Sequence, residues 1–152
     1  MLDFIQHIEL DAPTAICIAA GMKEMAASDN DIHQREVAFI DEFISEVGGD
    51  SETITSSDID LSILNSSELK DIFLKSLAVV ALADGEIKKE EVKLLNNYVD
   101  RLEYDGSASK ILDDVARSFL SRFRGVSIFR EKAEDMGRRL GLSEAAIKEV
   151  LD

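Results

Sequence analysis

Residues 22 to 47 of this chain recur, at a fixed offset of 55, as residues 77 to 102. Met22, Met25 and Ala26 stand opposite Leu77, Val80 and Ala81. Phe39, Ile40, Phe43, Ile44 and Val47 stand opposite Leu94, Leu95, Tyr98, Val99 and Leu102. Between these apolar sets lies a polar core of the repeat. Asp29, Asp31, Ile32 and Glu36 match Asp84, Glu86, Ile87 and Glu91, and Asn30 matches Gly85. Apolar positions coincide by chance more readily than polar ones at a turn. The chain is therefore expected to contain two similar helix-turn-helix hairpins.

Helical spacing runs through the rest of the sequence. Pro13 suits a first helical turn, and Ile16, Ala19, Ala20, Met22, Ala26 and Ala27 follow at a period close to 3.6. Val37, Ile40, Phe43, Ile44 and Val47 make an apolar stripe over 33–47. Gly, Ser, Thr and Asp then break the pattern, so 48–65 reads as a linker, with Ile59, Leu61, Ile63 and Leu64 able to order part of it. Ser66 or Ser67 caps a helix reaching about Ala83. A fourth spans about 88–102, Ser107 opens a fifth, 126–140 form a sixth, and Ser143 caps a short last one. Nothing reads as strand. The expectation is a single all-α domain over 1–152, a bundle of about seven helices. Repeat one covers about 14–47, repeat two about 67–102, and the C-terminal helices 107–152.

Charge narrows the function. The chain carries 31 acidic residues against 17 Lys and Arg, a formal net charge of -14. Nearly all the excess lies before residue 107, because 107–152 hold 8 acids and 9 bases. Such a surface repels nucleic-acid phosphates and attracts cations or basic partners. One cysteine, Cys17, allows no internal disulfide and reads as a small buried hydrophobe. The opening MLDFIQHIEL has neither a basic start nor a long apolar stretch, so no secretory signal is expected there. No apolar run approaches the ~20 residues of a membrane helix. A cytoplasmic protein without a transmembrane segment is the expectation.

The acidic turn has two readings. Structurally, Asn30 or Gly85 is a residue type that tolerates the left-handed conformation in which helices often stop. Ile32 or Ile87 then enters the core. Glu36 or Glu91 falls near the third position of the next helix, where it can reach back to the cap N–H. His33 and Lys88 are poor cap residues, so the capping box is only half present. Chemically, each turn offers carboxylates at relative positions one, three and eight, and carbonyls at the end of the incoming helix add neutral oxygens. Hard divalent cations take six or more oxygens, water included. The spacing is not that of an EF-hand, whose twelve-residue loop places its last Glu later than here. Against a cation stands the partial positive charge of a helix N-terminus.

The stretch SLAVVALADGEIKKEEVKLLNNYVDRL resembles the signature of the TerB-like family, named for a tellurite-resistance protein, with Ala83, Asp84, Gly85, Glu86, Ile87 and Glu91 carrying the likeness. Ser28, Asp29, Asn30, Asp31, Ile32 and Glu36 form a looser copy, and the closing RRLGLSEAAIKEVLD is also similar. The resemblance implies an all-helical domain with internal repeat symmetry and acidic residues that bind a divalent metal. It also implies a role in stress response or in assemblies near the inner face of the membrane. On that basis the candidate metal ligands are Asp84, Glu86 and Glu91, with Asp29, Asp31 and Glu36 as a second, weaker set. The alternative is a protein-interaction module whose acidic turns are structural.

Enzymatic chemistry is not expected. His7 and His33 have no Ser, Cys or Lys in a recognisable nucleophile motif beside them, and Gly48-Gly49 lacks the Lys and Ser or Thr of a phosphate loop. Arg117, Arg122, Arg124, Arg130, Arg138 and Arg139 crowd the last third. They are expected to pair with Asp113, Asp114, Glu131, Glu134 and Asp135 on a solvated face; a docking patch for an acidic partner or an anionic membrane is the sharper reading.

Overall fold

Two helices are apolar on nearly every side, and such helices must be covered on every side. The first, α1, is Ala12–Ala27, and the second of the pair, α3, is Ser67–Leu82. In the computed structural model, which describes residues 10–28, 34–46, 53–83, 85 and 87–152, these two form the centre of the molecule. Asp11 caps α1, its Oδ1 accepting from the Thr14 N–H at 2.9 Å, and Ser66 caps α3, its Oγ accepting from the Leu69 N–H at 3.1 Å. The helices approach closely because Gly21 has no side chain. A Cβ there would lie 2.7 Å from the Phe73 ring and 2.9 Å from Leu77.

Two amphipathic helices lie over this pair. Helix α2 is Gln34–Glu46 and buries Ile40, Phe43 and Ile44. Helix α4 is Lys89–Arg101 and buries Leu95, Tyr98 and Val99. Helices α1 and α3 start 55 positions apart, and so do α2 and α4. The stretch expected as a linker is part of the core where it is described. Ile54 and Leu64 are buried, and 3-10 turns at Ser56–Asp58 and Leu61–Ile63 pack on α1. Two contacts pin it: the Lys23 ammonium donates to the Ile54 carbonyl at 2.8 Å, and the Cys17 thiol to the Asp60 carbonyl at 3.5 Å.

Three further helices complete the bundle: α5 (Ala108–Ser121), α6 (Arg130–Arg139) and α7 (Glu144–Leu151). Helix α5 touches α3, α4, α6 and α7, so it joins the C-terminal helices to the central pair. The sixth helix begins later than expected from 126 on. Gly125 takes a left-handed φ of 78°, and a 3-10 turn over Ser127–Phe129 precedes it. Among the described residues there is no strand, and the class is all-α. No helix among them is long and apolar enough to cross a membrane.

Candidate cation-binding turn and adjoining cleft

The second acidic turn is built from the end of α3. The Ala83 N–H donates to the Val80 carbonyl at 3.2 Å and the Gly85 N–H to the Leu82 carbonyl at 3.0 Å, which tightens the last turn. Gly85 then reverses the chain at φ 82°, the conformation expected of it. Ile87 packs against the core, and Lys88 is extended as the residue before α4. Glu91 occupies the third position of α4. Its Oε1 accepts from the Lys88 N–H at 3.1 Å. A lysine side chain has no acceptor, so this is the one half of a capping box the sequence permits.

Glu36 occupies the same third position of α2. Glu36 is 2% exposed and Glu91 3% exposed, and they are the only buried carboxylates among the described residues. An ionised carboxylate loses several kcal/mol of hydration on such burial unless hydrogen bonds or a cation replace the water. The other four candidate ligands, Asp29, Asp31, Asp84 and Glu86, lie outside the described residues, as do Asn30, Ile32 and His33. Among the described residues no three His, Cys, Asp or Glu side chains converge. The two glutamates are therefore the described part of the candidate sites.

The turn borders a cleft of about 500 Å³ that sequence reasoning did not anticipate. Ala83 and Gly85 form one edge. The apolar wall is Leu82, Phe119, Phe123, Met136 and Leu140, and among the described residues Arg122, Lys132 and Arg139 stand around it with one acid, Asp135. Lys132, Asp135, Met136 and Arg139 recur at helical spacing along one stripe of α6. That stripe was visible in the sequence. Its partner, the Phe119–Phe123 end of α5, was legible only as core, whereas both rings are half-buried.

Most of the other C-terminal cations are paired as expected. Arg117 bonds Asp113 at 2.7 Å, Arg130 bonds Glu134 at 2.8 Å, and Arg138 bonds Asp135 at 2.8 Å. Arg138 also meets Glu144, whose carboxyl it holds below the usual range. Arg124 donates to the Val150 carbonyl at 2.7 Å. Lys132 and Arg139, in contrast, form no ion pair among the described residues. Cys17 is fully buried, and burial pushes its thiol up, as suits a packing residue.

No family model matches the chain, and no curated protein or solved structure matches it.

Proposed function

We propose that the chain is a non-enzymatic helical protein that binds a divalent cation at its acidic helix-helix turns. Asp84, Glu86 and Glu91 would supply the stronger set of carboxylates, and Asp29, Asp31 and Glu36 the weaker one. The supporting observation is the burial of Glu36 and Glu91 at one helical position, beside turns rich in Asp and Glu. Both glutamates have protein partners as well, so a hard cation with carboxylate, carbonyl and water ligands would add to what replaces their lost hydration. The proposal includes the two hairpins as repeats of one unit, supported by helix starts that share a single offset. A tellurite-resistance-like stress role, with a partner near the membrane, rests on the TerB-like resemblance alone, and a cytoplasmic location rests on the single cysteine and the lack of a membrane-length apolar run.

A second reading has its own observation. The Lys88 N–H bonded to Glu91 Oε1 gives this glutamate a structural task, which supports an interaction module with capped turns and no ion. Isothermal titration of the metal-free protein with Ca²⁺, Mg²⁺, Mn²⁺ and Zn²⁺ separates the two. The cation reading expects saturable heat for at least one ion, lost in Asp84→Asn/Glu91→Gln. Absence of saturable binding by all four would leave the capped turn as the better account.

A further inference from the structure

We infer that the cleft between the end of α3, the end of α5 and α6 binds a small amphipathic anion, an apolar body carrying a carboxylate or phosphate head. Three observations meet there. The volume, about 500 Å³, lies within the ~300–1,000 Å³ range of small-ligand sites. The wall is apolar, with Phe119, Phe123 and Met136 half-buried, so each still has apolar surface to lose to a ligand. The rim is cationic in a chain whose net charge is -14.

The state of the charges sharpens this. Asp135, the one acid among the described lining residues, is held by Arg138 at 2.8 Å. Arg122 lies over the Phe119 ring at 5.7 Å, which sets a guanidinium beside the apolar wall. Lys132 and Arg139 form no ion pair among the described residues, although each sits about one turn from the paired acid, on either side of it along the same stripe. A head group placed between them gains charge-assisted hydrogen bonds while its body covers Met136 and Phe123. The occupant is small rather than a polymer. A nucleic acid or an anionic bilayer reaching this cleft would also face the acidic remainder of the chain, whereas one anion meets only the local field. This site does not depend on a cation in the acidic turn.

The probe is decanoate below its micellar concentration, titrated into the full chain by isothermal calorimetry and by methyl NMR. Decanol and anionic phospholipid vesicles serve as comparisons, and Lys132→Gln/Arg139→Gln as the variant. Decanoate is expected to bind saturably and to move the Met136, Leu82 and Leu140 methyl signals. The variant and decanol should each bind about tenfold more weakly, the scale of a lost charged hydrogen bond. Both substituted residues are exposed, so the variant should fold, which circular dichroism checks. The methyl shifts of the wild type test the location without any variant. No binding of decanoate, shifts confined to other methyls, equal binding of decanol or of the variant, or binding to vesicles alone would each overturn the inference.

Discussion

Single residues decide how closely the central helices meet and how the acidic turn is held. Gly21 faces Phe73 and Leu77, both fully buried and without room to yield. Gly21→Val should cost about 1–3 kcal/mol by overpacking, read as a lower urea midpoint at unchanged slope. Unchanged stability would mean that α1 and α3 are not in this close contact. Glu91 allows a finer separation. Gln keeps the acceptor for the Lys88 N–H but removes the charge, while Ala removes both. In chelator, Glu91→Gln should therefore stay near wild type and Glu91→Ala should lose about 1 kcal/mol by chemical denaturation. If Gln and Ala are equally damaging, the cap bond is not what Glu91 supplies. The sequence made Glu91 legible as a third-position residue, because its offset from Gly85 is local. It did not make burial legible. Burial depends on what the rest of the bundle lays over the turn.

At the scale of elements, periodicity carried most of the fold. Helices α1, α3, α4 and α5 lie within a residue or two of the bounds their apolar stripes imply. Periodicity failed where no period exists. Ile54 and Leu64 are core residues in an irregular stretch, placed there by α1 through Lys23 and Cys17 rather than by local pattern. Leu64→Ala should accordingly cost about 2–5 kcal/mol, as a core deletion does, and a loss near zero would restore the plain linker. Polar ties between helices were equally hidden. Tyr98 on α4 donates to Glu24 on α1 at 2.5 Å and packs edge-on against Phe73 of α3, with ring centroids 5.2 Å apart. Tyr104 donates to Asp71 on α3 at 2.6 Å. Burial first, then the partner carboxylate, raises both phenols, Tyr104 to about 12. A raised folded value holds stability that is complete below the unfolded value of ~10 and is lost as pH rises through the folded values. The native chain should thus show little tyrosinate absorbance at a pH where the urea-unfolded chain is half ionised, and its stability should fall from there upward. Native titration at ~10 would contradict both hydrogen bonds.

At the scale of the whole molecule, charge is divided. The acidic excess lies before residue 107, much of it in the segments that flank the hairpins, and the C-terminal helices are balanced by ion pairs that are mostly solvent-facing. Such pairs are each worth about 0–1 kcal/mol, so the division bears on what the molecule attracts more than on its stability. A chain of this charge should gain from a bound cation, and the acidic turns are where we place it. The measurement that bears on this most directly is thermal unfolding in chelator and then with Ca²⁺, Mg²⁺, Mn²⁺ or Zn²⁺, for the wild type and for Asp84→Asn/Glu91→Gln. An ion at 100 times its dissociation constant adds ~2.7 kcal/mol, a rise of about 5–10 °C for a domain of this size. The account predicts that rise for one ion in the wild type and its loss in the variant. The same unfolding temperature with every ion, in both proteins, would contradict it and make the acidic turns structural caps.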